Sequence, residues 1–186
     1  MQIIGVMAEQ LFIDFVNSEW YDGRGNVEER LLSAEWRSQF VEAWGLGYQE
    51  APSATKFESL VALRHVIRTL IEDVYGGREP STARLIDFAS GLGTVPMSLA
   101  IEGDPPGARW TAARSSWTYV EAEVIRSCLT LLNGPARLRL RRCENEGCRW
   151  AFVDASRNGC RRWCDPAICG NVSKVRAYRE RRRAAS

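Results

Sequence analysis

Cysteine is where the chemistry of this chain concentrates. Four of its six cysteines form two matched pairs, Cys143-x4-Cys148 and Cys164-x4-Cys169, inside a window of 27 residues. Thiolates hold Zn²⁺ at roughly 2.3 Å, and two short cysteine turns joined by a spacer let four sulfurs converge without straining the backbone. Cys143, Cys148, Cys164 and Cys169 therefore predict one tetrahedral metal site. Zinc is the first choice; an iron-sulfur cluster accepts the same four thiolates and is its main rival, with free or redox thiols behind both. A disulfide framework needs an oxidising compartment. The opening MQIIGVMAEQ has neither a basic n-region nor a long apolar h-region, so a cytoplasmic protein with reduced thiols is expected. Cys160 is a spare sulfur near the site, and Cys128 falls in a predicted apolar helix as a small buried hydrophobe.

The elements that must carry this site are mostly helical. Residues 7–20 place Met7, Ala8, Leu11, Phe12, Phe15 and Val16 on one arc, which predicts an amphipathic helix, followed by a loop over YDGRGNVEE. Ser33 can cap a second helix carrying Trp36, Phe40 and Trp44 that stops at Gly45. Residues 53–75 contain no Gly or Pro, have Ser53 and Thr55 as cap candidates, and end at Gly76-Gly77. A fourth helix starts near Pro80-Ser81 and ends at Gly91. Val95 to Ile101 and Arg109 to Ala113 flank EGDPPG and predict a short β-hairpin. A helix over 116–132 is broken by Asn133-Gly134-Pro135, and ARLRLRR at 136–142 alternates like a strand leading into Cys143. The expected fold class is mainly α (α+β). A helical N-terminal domain, 1–134, would carry the hairpin, and a small four-cysteine module, 135–186, would end in a basic helix.

Charge divides at the same boundary. Residues 135–186 carry fourteen Lys/Arg against five Asp/Glu, a balance of +9; residues 1–134 carry eleven against eighteen, a balance of −7. Four thiolates around Zn²⁺ add a formal −2 to the C-terminal part. A dense positive field of this kind favours phosphate backbones, and a solubilising basic tail is the plainer alternative. Val172, Val175 and Tyr178 share a helical face suited to packing on the four-cysteine module, while Lys174, Arg176, Arg181 and Arg183 surround the helix. With so few apolar residues of its own, the module should depend on zinc for its fold. No apolar run reaches the roughly 18 residues of a membrane span, so no membrane role is expected.

The helical part offers fewer signals. Arg64, Arg68 and Glu121 fall within apolar helix arcs, and charges do not enter a core unpaired. They predict a buried ion-pair network, with a small-molecule pocket anchored by Asp14, Asn17 and Arg64 among Trp20, Trp36 and Trp117 as the sharper alternative. The sole histidine, His65, lies on a polar arc, and GxSxG, HExxH, P-loop and GxGxxG patterns are all missing. Four thiolates close a zinc site to catalysis, so enzymatic activity is not expected.

The run from Cys143 through EGC, FVDASRNGCRRWC and CGN to the basic helix resembles the CGNR-type zinc finger, a bacterial module at the C-terminus of transcription regulators. Leu11-Phe12-Ile13-Asp14-Phe15-Val16-Asn17, the helix around Arg64, and Arg126-Ser127 before Leu131-Leu132 resemble the ABATE domain that precedes that finger. The two resemblances cover nearly the whole chain. They imply a stress-responsive, DNA-binding regulator whose N-terminal domain senses an effector or mediates assembly, including homo-oligomer formation. They also imply Cys143, Cys148, Cys164 and Cys169 as the ligands of one structural Zn²⁺, with Arg161, Arg162, Trp163, Gly170 and Asn171 in the motif core. Nucleic-acid contacts would come from Arg161, Arg162, Asn171, Lys174, Arg176 and Arg179. One departure stands out: the arginine after Gly-Asn is Val172 here, which removes one bidentate phosphate or guanine contact. A zinc-stabilised protein-interaction module without nucleic-acid binding is the second reading.

Overall fold

A computed structural model describes residues 10–47, 49–112 and 116–184. The predicted first helix is shorter than its periodicity suggests. Helix α1 spans Leu11–Val16, and the part of the expected helix that includes Met7 and Ala8 lies outside the described residues. Beyond Asn17 the chain reverses into strand β1 (Glu19–Tyr21), which pairs antiparallel with β2 (Val27–Glu29), so the expected helix to residue 20 and the loop after it are replaced by a small hairpin. The cause is tertiary: Ser18 accepts a hydrogen bond from Arg64, and Glu19 pairs with Arg68.

Helix α2 (Ala34–Ala43) begins where Ser33 Oγ accepts from the Trp36 N–H at 3.2 Å, and helix α3 (Ala54–Tyr75) where Ser53 Oγ accepts from the Lys56 N–H at 3.2 Å. Helix α4 (Ala83–Ser90) ends at Gly91. Strands β3 (Met97–Glu102) and β4 (Gly107–Ala112) form the expected hairpin, with Met97, Leu99 and Ile101 exposed at alternate positions. Helix α5 (Trp117–Asn133) is capped by Ser116, and a 3₁₀ turn over Pro135–Arg139 leads to strand β5 (Leu140–Arg142), which pairs with β6 (Ala151–Val153). A π-type turn, Pro166–Gly170, delivers Cys169 and runs directly into helix α6 (Asn171–Ala184). No helix among the described residues is long and apolar enough to cross a membrane.

One core joins the two ends of the chain. Phe12 and Phe15 of α1, Leu60, Leu63 and Ile67 of α3, and Val120 and Val124 of α5 are buried together with Leu140 of β5 and Ala151 of β6. Each large side chain removed from water contributes about 1.5–3 kcal/mol, so this shared core fixes β5 and β6 on the helices. Charges inside it are paired. Arg64, 1% exposed, donates to Glu29 and to Ser18 Oγ. Glu121 accepts from Lys56 Nζ at 2.7 Å and Ser59 Oγ at 2.6 Å. The buried Ser127 Oγ accepts from the Phe12 N–H at 3.3 Å, satisfying a donor in the first turn of α1.

Helix α6 departs from expectation. The Val172, Val175 and Tyr178 face is only partly covered: Val172 is half-buried, no residue of α6 is buried, and Tyr178 is 54% exposed.

Candidate metal centre

The four cysteine sulfurs come from three short segments, each held by backbone hydrogen bonds. Cys143 directly follows β5, and its N–H donates to the Trp150 carbonyl at 2.7 Å. Cys148 closes a tight turn in which its own N–H donates to the Asn145 carbonyl at 2.9 Å and the Gly147 N–H donates to Asn145 Oδ1 at 3.2 Å. Arg149 leaves that turn with φ +57°, a left-handed conformation uncommon outside glycine. Cys169 sits in the π-type turn, where Asp165 Oδ1 accepts from the Ala167 N–H at 2.7 Å and the Ile168 N–H at 3.1 Å. Gly170 follows because Trp163 crowds it; a Cβ there would lie 3.3 Å from the indole.

These segments bring all four sulfurs within 4.8 Å of one another. A tetrahedron with arms of about 2.3 Å has edges of roughly 3.8 Å, and Cys148–Cys164 and Cys164–Cys169 stand at 3.5 and 3.7 Å. An iron-sulfur cluster would spread its thiolates around several iron and sulfide atoms, so a single ion fits this spacing better. All six cysteines are free of disulfides. The sulfurs crowd one another electrostatically. Hydrogen bonds from Cys148 and Cys164 pull the Cys143 thiol far below its ordinary pKa, while Cys143 beside them pushes Cys148 and Cys164 up. One divalent cation removes that conflict by stabilising all four thiolates together. The four cysteines are thus positioned to bind one zinc ion. Four sulfurs and one ion make a closed coordination sphere, which holds structure rather than exposing a reactive site.

The finger is seated on the hairpin of the helical part. Asn145 Nδ2 donates to the Gly23 carbonyl at 2.9 Å, and a Cβ on Gly147 would lie 2.8 Å from that same oxygen. Asn17 exchanges two hydrogen bonds of 3.0 Å with the backbone of Ala151. Nothing local in the sequence marks these contacts; the residue pairs are more than a hundred positions apart.

The residues expected to contact nucleic acid divide into two groups. Arg161 is half-buried, donates from Nε to the Trp163 carbonyl at 2.8 Å and stacks over Phe152 at 4.9 Å. Asn171 donates to the Ala167 carbonyl at 2.7 Å. Arg162 and Arg176 form ion pairs with Glu144 and Glu146 at 2.5 and 3.1 Å. Lys174 and Arg179 are exposed and, among the described residues, have no ion pair. Asp154 is structural: its carboxylate accepts from the N–H groups of Ser156 and Arg161, each at 2.8 Å, and hydrogen bonding from Ser156 first, then from Arg161, lowers its pKa to about 2.

The three polar residues expected to anchor a pocket face different partners. Asp14 accepts from Trp44 Nε1 at 3.0 Å, Asn17 holds Ala151, and Arg64 holds Glu29 and Ser18. None of them lines a cavity described among these residues. Burial raises the Asp14 pKa, opposed by the Trp44 hydrogen bond.

Fold and site together define a helical domain clasping a four-cysteine metal module. The family described as "Putative stress-induced transcription regulator" (ABATE) matches residues 9–135, and the CGNR zinc finger matches residues 139–182. The chain belongs to the ABATE family and carries a CGNR zinc finger after the ABATE domain. Both families are regulatory or zinc-finger families rather than enzyme families. Comparison with curated proteins gives no match.

Proposed function

We propose that the chain is a cytoplasmic transcription regulator that binds DNA through its zinc-held finger and does not catalyse a reaction. The finger, residues 135–186, presents the cations; the helical domain, residues 1–134, serves sensing or assembly. The observation that carries this reading is α6. It begins two residues after the last zinc ligand, buries none of its residues, and brings Lys174 and Arg179 to solvent, with Arg176 half-exposed beside Glu146, in a part of the chain with a +9 balance. Asn171 is its first residue, Arg162 lies between the cysteine pairs beside Glu144, and Arg161 braces the same segment. The family match to stress-induced regulators supports the same reading. Room for a small molecule in the helical domain exists in a cleft of about 660 Å³ between α2 and the segment after it, lined by Arg37, Gln49 and Trp117 among others. Six cysteines without a disulfide agree with a reducing compartment.

The test is titration of a duplex with the zinc-loaded full chain at several salt concentrations. Neutralising about five phosphates gives a slope of log affinity against log salt of roughly −4 to −5. Arg162→Ala with Lys174→Ala should flatten that slope. A salt-independent or undetectable interaction would contradict the reading. A second reading, a protein-docking finger, draws support from Val172 and from the carboxylates that already engage Arg162 and Arg176; it predicts no duplex binding at any salt concentration.

A further inference from the structure

The turn between β1 and β2 is built to hold one side chain out. The Asp22 carboxylate accepts from the Arg24 N–H at 2.7 Å, the Asn26 N–H at 3.1 Å and Asn26 Nδ2 at 2.6 Å. Glycines at φ +76° and +107°, Gly23 and Gly25, flank Arg24 and permit the tight path. The turn also rests on the metal module: Asn145 holds the Gly23 carbonyl, and a Cβ on Gly23 would lie 3.6 Å from Cys169 Sγ. Arg24 itself is exposed, and among the described residues its guanidinium has no hydrogen-bond or ion-pair partner.

Arg24 is one wall of a groove of about 610 Å³ whose other wall is α6, with Arg176, Arg179 and Arg183 on it, Val172 in its lining and Glu180 as its single carboxylate. Four guanidiniums, of which Arg176 already holds Glu146 at 3.1 Å, stand against one lining carboxylate; set on a hydrogen-bonded turn that faces a helix, they match a row of phosphates better than a single acidic side chain. We propose that Arg24 and the arginines of α6 form one composite cradle for the phosphodiester backbone of duplex DNA. The helical domain then contributes directly to the polyanion surface, and its hold on the finger sets the position of a phosphate contact. Preorganisation by Asp22 lowers the entropy lost when Arg24 engages. This inference rests on the DNA-binding reading above.

The experiment uses the zinc-loaded full chain and a random-sequence duplex, with anisotropy titrations from about 50 to 200 mM salt. Arg24→Gln is expected to reduce the salt slope by about one and, at 0.1 M salt, to weaken binding roughly eightfold. Arg24→Lys should retain the slope, Arg84→Gln on α4, outside the groove, should change nothing, and zinc content should be equal in all four chains. An unchanged slope in Arg24→Gln overturns the composite cradle while leaving DNA binding by the finger intact. A loss shared in full by Arg24→Lys also overturns it, because the role would then not be one of charge. A wild-type chain without salt-dependent binding overturns both the cradle and the reading on which it rests.

Discussion

Asn17 and Ala151 exchange two buried hydrogen bonds: Asn17 Nδ2 donates to the Ala151 carbonyl at 3.0 Å, and the Ala151 N–H donates to Asn17 Oδ1 at 3.0 Å. The amide behaves as a strand partner for β6, so the end of α1 completes the edge of the finger's small sheet. Asn17→Ala leaves both backbone groups of Ala151 unpaired in a buried setting, which costs about 2–4 kcal/mol. Urea unfolding of the zinc-loaded chain should show that loss as a lower midpoint.

Gly147 and Gly23 touch backbone to backbone, with no flexible side chain to give way. A methyl group on Gly147 would lie 2.8 Å from the Gly23 oxygen and 3.0 Å from the Gly25 nitrogen. Gly147→Ala is expected to destabilise the chain by about 1–3 kcal/mol and to weaken zinc retention in competition with a chelator. Gly93→Ala, where a Cβ meets nothing within 4 Å, should leave both measurements unchanged.

Among the described residues Arg64 is the largest fully buried side chain, gripping Glu29 and Ser18 from α3. Arg64→Met removes the partner of Glu29 and should cost about 2–4 kcal/mol, below the full penalty for a buried pair because Glu29 is partly solvated. Combined with Glu29→Gln, the loss should be less than the sum of the two single losses. A double-mutant cycle measures that coupling, expected at about 1–3 kcal/mol.

Much of the fold was legible where the signals are local. Ser33 and Ser53 announce α2 and α3 by capping chemistry, Gly91 ends α4, and the GDPP inside EGDPPG turns β3 into β4, while Glu102 and Gly107 join the paired strands. The cysteine spacing gave the metal ligands for the same reason: each pair closes its own turn. What escaped depends on distance. The hairpin of β1 and β2 has strands of only three residues, and Trp20 continues the apolar rhythm of α1 although Arg64 and Arg68 draw Ser18 and Glu19 out of the helix. Asn17 reads as a polar residue at a helix end, since its partner lies 134 positions away. Val172, Val175 and Tyr178 have the spacing of a packed face, but periodicity does not reveal that no neighbour fully buries it.

Cys128 makes the stability dependent on alkaline pH. Burial pushes its thiol up to about 12, against an ordinary value near 8.5. A raised folded pKa means that its stabilising contribution is complete below the unfolded value and is lost as pH rises toward the folded one. Cys128→Val should therefore flatten the fall in stability above about pH 8.5, measured by urea midpoints across that range. At pH 8 a thiol reagent should label the exposed Cys160 at once and spare Cys128 until the chain unfolds.

The geometry of the four sulfurs is tested most directly by X-ray absorption at the zinc edge together with metal content. The expected result is one zinc per chain with four sulfur neighbours at about 2.3 Å, and loss of that zinc when Cys164 is changed to Ser. Fewer than four sulfurs around the ion, a nitrogen or oxygen ligand in their place, or retention of zinc by Cys164→Ser would contradict the account.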